Sequence, residues 1–228
     1  MTSPLSGSLA GLESVADALT KAELIDLTVT LAERSPPVWP THMPFQRKDY
    51  NWYASRSDQV QPIHRFRGPY HTAWLTLDEH CGTHFDPPAH FTPPPDSGLP
   101  HANECGLQSG DKIELGRLMG PAAVIDVSEL TDTGEPGVGP EILPEHIQRW
   151  EAEHGELRED EIVLYRSDWD RHYVDMPDGA AYITSSFVLQ RDPSWPTPDE
   201  PAHFMFLPVK IEGSSGGPGR AIAFVPRG

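Results

Sequence analysis

His80-Cys81-Gly82-Thr83-His84-Phe85-Asp86-Pro87-Pro88-Ala89-His90 is the stretch around which this chain is organised. It holds three histidines, one aspartate, a Gly-Thr pair and two adjacent prolines. Imidazole and carboxylate are donors that Zn²⁺ and Mn²⁺ accept, so His80, His84 and Asp86 read as candidate metal ligands. A further imidazole, His90, is of the residue type most used for proton transfer near neutral pH. His80 and His84 are four residues apart, which on a helix would place them on one face. Gly82 disfavours a helix, and Pro87-Pro88 bars its continuation. The preceding residues alternate instead. Thr72, Trp74, Thr76, Asp78 and His80 would share one side of a strand, and Ala73, Leu75, Leu77 and Glu79 the other. The pattern predicts a strand running into His80 and a loop carrying His84, Asp86 and His90, with Gly82 letting that loop turn back.

Outward from this stretch, the 228 residues are enough for one domain with a sizeable core. We divide them into a tail with a short helix over 1–22 (Leu9–Leu19) and a single domain over 23–228. The chain carries 34 Asp+Glu against 17 Lys+Arg, a formal net charge of −17, which argues against nucleic acid or an anionic membrane as partner. The two cysteines, Cys81 and Cys105, give neither a disulfide framework nor a Cys-x-x-Cys site. Cys81, inside the histidine stretch, is expected as a buried or half-buried free thiol. Met1 to Leu12 lacks a basic segment followed by an apolar run, and no stretch approaches a membrane span. The expectation is a soluble cytoplasmic protein. Proline, 25 of 228, is about double the usual ~5%, which points to short strands and much loop.

The pattern predicts strands over Leu24–Leu31, Ala122–Val127, Glu161–Arg166, His203–Ile211 and Arg220–Val225. The nearly continuous apolar run at 122–127 suits a sheet covered on both faces. Pro144–His154 reads as a helix stopped by Gly155, with His146 and His154 on its surface. Residues 45–69 show no period and read as an insertion or lid, and Phe91–Gly110 as loop. Trp39, on a Pro-rich loop, either stacks on a flat substrate or plugs the core edge. Ser167 and Trp169 follow a strand end, where pockets form in α/β sheets, and either line a cavity or form a turn packed inward.

The pattern H-x-G-T-H-x-D-x-P-x-H, matched here at every fixed position over residues 80–90, resembles the signature of the putative cyclase family, which includes bacterial kynurenine formamidases (arylformamidases) and isatin hydrolases. The resemblance implies an α/β fold of the swivelling β/β/α type, with a mixed sheet or barrel-like core and flanking helices. It implies that His80, His84 and Asp86 hold a divalent metal, Zn or Mn, with Asp86 able to bridge a second ion. His90 would be the general acid/base. Asp26-Leu27-Thr28 resembles the family's opening, but Val29 stands where histidine is common. Trp39-Pro40 resembles a segment at the active-site mouth. Ser167-Asp168-Trp169 resembles Thr-Gly-Trp with aspartate in place of glycine, and Pro208 to Arg220 resembles the family's tail.

The similarity runs over 23–183 and 204–226. Thr184 to Pro201 has no apolar periodicity and is too short for the βα unit and the His/Glu pair that the family places there. This implies an internal deletion, with His203 as a surviving ligand beside Asp199 or Glu200. A lost strand would leave a sheet edge that a second subunit covers, hence a homo-oligomer. The resulting expectation is a metal-dependent hydrolase of an amide or cyclic amide/lactone in a small aromatic substrate, similar to the arylformamidases of kynurenine and tryptophan catabolism. The alternatives are a non-catalytic metal- or ligand-binding relic, or a cyclase or lyase on the same scaffold.

Overall fold

The computed structural model describes residues 17–35, 43–53, 69–134, 139–168 and 201–227. Its centre is strand β8, Gly217–Pro226. Ala221, Ala223 and Val225 recur there at period two and are buried together with Ile25, Leu27 and Phe206, forming one core cluster. Phe85, Leu118 and Phe204 pack against that cluster. The sheet runs β1 (Ala22–Asp26), β8, β7 (Ala202–Pro208), β5 (Met119–Asp126), β6 (Ile162–Arg166), with the two-residue β4 (His84–Phe85) also paired to β8. β5 and β6 are parallel, while β1, β4 and β7 each run antiparallel to β8. The fold is therefore mixed α/β. Ala123, Val124 and Ile125 are buried in succession along β5, so both faces of the sheet are covered there as the apolar run implied. Each such Val or Ile contributes about 1.5–3 kcal/mol by leaving water.

One edge of β8 is taken by β7. The other is shared by two partners in turn. β1 covers Ile222–Pro226, and β4 covers Gly217–Pro218. The gap between them is closed by single hydrogen bonds. Leu27 N donates to Ala221 O at 2.9 Å, Ala221 N donates to Thr28 Oγ1 at 3.0 Å, and Gly219 N donates to Thr83 O at 3.0 Å. Val29 N donates to Thr83 Oγ1 at 3.0 Å, so Thr83 ties the histidine stretch to both the β1 extension and β8. Gly219 N and both backbone groups of Ala221 are thus paired between β4 and β1.

Several expectations are corrected. The strand predicted to reach His80 stops at Thr76. The physical reason is Asp78. Its Oδ1 accepts from His80 N at 2.9 Å and its carbonyl from Cys81 N at 3.1 Å, an Asx-type turn that bends the chain away from extended geometry. β3 (His71–Thr76) pairs with β2 (Gln46–Trp52) in a separate two-stranded ribbon, so part of the segment read as a lid is strand. The rest of it, 54–68, lies outside the described residues. The first strand ends at Asp26 rather than Leu31, and β7 at Pro208 rather than Ile211. Of the expected helix at Leu9–Leu19, residues 17–21 are helical and 1–16 lie outside the described residues. The helix over Pro144–His154 forms as read, and Gly155 follows it. His146 is buried, however, because its Nδ1 accepts from Leu143 N at 2.9 Å and caps the helix start. Among the described residues no helix is long and apolar enough to cross a membrane.

β1 and β8 are also joined by a side-chain pair. Arg220 Nε donates to Asp26 Oδ1 at 3.0 Å, and Nη2 donates to Oδ2. The guanidinium hydrogen bond outweighs desolvation and holds the Asp26 carboxyl down at about 2. A carboxyl lowered in the folded state adds stability above its unfolded pKa and loses it as pH falls through the folded value. The Asp26→Asn chain is therefore expected to melt lower than wild type at pH 6–7, with the gap narrowing as pH falls below the ordinary 3.8 and lost as it passes through and below about 2. Both side chains are about half exposed or more, so solvent screening keeps the expected shift to a few degrees in calorimetry.

Candidate metal centre

The Asp78 turn drops His80 into the interior, where it is 6% exposed. The chain then reverses at Gly82, whose φ is +60°, and a Cβ built there would lie 2.5 Å from Leu31 Cδ2. A side chain at this position would be strained by the left-handed backbone and would have to push the end of Leu31 aside, so the reversal anticipated from Gly82 has a conformational basis. β4 fixes His84 opposite Pro218, and Phe85, opposite Gly217, goes into the core. Pro87 is almost fully buried, and the 3₁₀ turn Pro88–His90 is closed by His90 N donating to Pro87 O at 2.9 Å.

These local constraints converge. One ligand atom each from His80, His84 and Asp86 lies within 4.8 Å of the other two. Asp86 Oδ1 is 2.8 Å from His80 Nδ1 and 3.4 Å from His84 Nε2. His84 Nδ1 lies 2.8 Å from Gly82 O. A carbonyl only accepts, so Nδ1 donates to it, and Nε2 is the nitrogen that faces the carboxylate. A metal-ligating histidine held by a backbone carbonyl through its second nitrogen has this arrangement. Two imidazoles and a carboxylate with their donor atoms gathered this closely form a donor set that fits a divalent ion such as Zn²⁺ or Mn²⁺. The His90 ring stands 4.0 Å, centre to centre, from the His80 ring.

The structure thus brings together His80, His84, Asp86 and His90. It does not bring His203. That residue is exposed on β7 opposite Phe224, while His84 is opposite Pro218. Six residues of β8 separate the two levels, about 20 Å at 3.3 Å per residue. Ser167 lies beyond the end of β6, at the end of the sheet opposite β4. Its carbonyl accepts from Thr131 Oγ1. Trp39 and Trp169 lie outside the described residues, as do Asp199 and Glu200. Cys81 is buried and free, and burial, aided by the Asp78 charge, pushes its thiol pKa up; Cys105 is free and exposed. Asp168, at the position of the family's glycine, has φ +55°, and Arg166 Nε donates to its Oδ1 at 3.0 Å.

Two site neighbours were not singled out from sequence. Glu79 Oε1 accepts from Ser215 N at 3.1 Å and from Ser215 Oγ, and Ser215 Oγ is 3.3 Å from His80 Nε2. Strand alternation had put Glu79 on the face away from His80. The turn at Asp78 cancels that alternation.

The sequence profile of the putative cyclases matches residues 25–208. The chain belongs to the putative cyclase family. Over 128 residues this cyclase-family chain is 36% identical to the isatin hydrolase of Roseibium aggregatum, a match that spans 55% of the chain and 42% of that relative. The chain thus aligns with less than half the length of that relative. Among solved structures, an isatin hydrolase A from Labrenzia aggregata bound to benzyl benzoate superposes with a TM-score of 0.66 at 22% identity, covering 95% of this chain and 100% of the other. An isatin hydrolase bound to the product analogue thioisatinate gives 0.67 at 21% identity, covering 97% and 100%. These similarities establish the fold of this cyclase-family chain.

Gly82→Ala tests the conformational basis of the turn. It is expected to cost about 1–3 kcal/mol in urea unfolding, since it places Cβ in a left-handed conformation and against Leu31. Gly98, with φ +70° but nothing within 4 Å of a built Cβ, should tolerate alanine better and serves as the control.

Proposed function

We propose that this cyclase-family chain is a metal-dependent hydrolase that opens the C–N bond of a small aromatic amide, with a cyclic amide of the isatin type as the first substrate to try and an aryl formamide as the second. The observation that carries the reading is the convergence of His80, His84 and Asp86 within 4.8 Å, with the His90 ring packed 4.0 Å from His80. The 36% identical relative is an isatin hydrolase, which favours the cyclic amide over the formamide.

A divalent ion held by His80, His84 and Asp86 supplies Lewis acidity toward the carbonyl and lowers the pKa of water. His90 then takes the proton of the attacking water and returns it to the departing nitrogen. Its place on the short turn between Pro87 and Phe91 keeps the ring beside the ligands, with Phe91 edge-on to it at 4.2 Å. His84 is held by the Gly82 carbonyl, so binding a cation requires little reordering of that ring.

A second reading has a specific observation behind it. Among the described residues no fourth His, Cys, Asp or Glu joins the cluster, and His203 is remote. On that reading the chain binds metal or ligand without turning over a carbonyl substrate.

Metal analysis of the purified chain combined with turnover of isatin and of N-formyl aryl amides separates the two. The expected result is about one divalent ion per chain and hydrolysis of at least one substrate, with solvent oxygen incorporated into the product. His90→Ala should keep the metal and lower turnover about 10²–10⁴-fold. His84→Ala should lose the metal. Stoichiometric metal with no turnover of either substrate class would favour the binding protein, and turnover unaffected by His90→Ala would remove His90 from the chemistry.

A further inference from the structure

The geometry points to Phe91 as the residue that recognises the substrate's aryl ring and so selects aryl amides over alkyl amides of the same bulk. This rests on the hydrolase reading above and assigns to that site the side chain that reads the leaving group.

The cluster is open on one side. His80 is buried, His84 and His90 are half-buried, and Asp86 is exposed. From His80 the rings step outward. His90 lies 4.0 Å away, centre to centre, and Phe91 lies 4.2 Å from His90 with the two planes at 72°. Phe91 is 76% exposed, the most exposed large hydrophobic side chain among the described residues. A lone exposed phenylalanine means little by itself. This one has a fixed backbone under an uncovered ring. Phe91 N and Thr92 N both donate to Pro88 O, at 3.3 and 3.0 Å, closing the turn that carries His90. Ala89 N donates to Gln108 O at 3.2 Å, and Asn103 N donates to Pro93 O at 3.1 Å. A Cβ on Gly106 would lie 2.4 Å from Pro93 O and 2.5 Å from Thr92 O, so the turn Glu104–Leu107 packs directly on the residues after Phe91. A ring carried on backbone already ordered in this way costs a ligand little to engage.

The chemistry fixes which part of the substrate meets that ring. In isatin and in an N-formyl aryl amide alike, the leaving nitrogen is bonded directly to the aryl ring. On the hydrolase reading His90 returns a proton to that nitrogen, so the aryl ring begins one bond from the atom His90 must reach. The neighbour of His90 on its open side is Phe91. An aryl group placed there makes an aromatic pair, and a cyclohexyl group of similar bulk does not. Selection for the aryl amide then comes from one side chain outside the ligand set.

The test uses the full chain supplied with Zn²⁺ or Mn²⁺ and a matched pair of substrates, N-formylaniline and N-formylcyclohexylamine, with isatin as a third. The variants are Phe91→Leu, which keeps apolar bulk without a ring, and Phe91→Tyr, which keeps the ring. Wild type should show the lower KM for the aryl member of the pair. Phe91→Leu should raise KM for N-formylaniline and isatin about 2–10-fold, with kcat and the cyclohexyl KM within about twofold of wild type. Phe91→Tyr should keep the wild-type pattern. Both variants should melt with wild type, because the ring is uncovered. Equal KM for the matched pair in wild type, or equal KM changes for the two in Phe91→Leu, overturns the assignment. So does a fall in kcat with KM unchanged, which would make Phe91 a prop for His90. If wild type turns over none of the three, the hydrolase reading fails and equilibrium binding of isatin decides Phe91 separately. Affinity weakened about 2–10-fold in Phe91→Leu and kept in Phe91→Tyr supports it, while an unchanged affinity, or no binding by wild type, overturns it.

Discussion

The edge of β8 is longer than β1, and that mismatch governs the molecule. Beyond Ala221 the strand needs new partners for its backbone groups, and the segment that supplies them is the one bearing the candidate ligands. Thr83 and β4 fill the remaining edge, so completing the sheet and placing His84 are a single event. The alternative, a buried edge with orphaned N–H and C=O groups, would cost more than the short turns required to avoid it. The Gly-Thr pair in the motif gains a physical meaning from this. Gly82 makes the reversal, and Thr83 joins the reversed chain to two neighbours.

The parts legible in the sequence were those whose patterns have one cause. β5 announced itself by a continuous apolar run, because a strand covered on both faces has no polar side, and β6 by the shorter run Ile162–Leu164. The Pro144–His154 helix had proline at its start and glycine after its end. The ligand trio was visible because three donors and two prolines fell within one short segment. The strand assigned up to His80 failed because alternation continues across a turn without registering it. Only the Asp78 side chain, bonded to a backbone N–H two residues on, marks where the strand ends.

Long-range placement was the part the sequence could not supply. His203 resembled a ligand by type and by proximity to acidic residues, but antiparallel pairing of β7 with β8 sets it at a different level of the sheet. Ser167 followed a strand end, as pocket residues often do, but parallel pairing of β6 with β5 carries that end away from β4. Glu79 and Ser215 stand 136 residues apart in the chain, and no local pattern links them. Asp168 shows the reverse case. The aspartate in place of the family's glycine occupies a left-handed position that aspartate tolerates better than most residues and that Arg166 holds.

The two thiols differ in a way that is useful at the bench. Cys81 lies beside the ligands, buried and with its thiolate disfavoured, whereas Cys105 sits exposed on the short turn Glu104–Leu107. A maleimide fluorophore or spin label added to the unmodified sequence would attach at Cys105 and leave the ligand segment untouched. The chain thus carries its own handle for watching metal uptake, with no cysteine to remove or introduce.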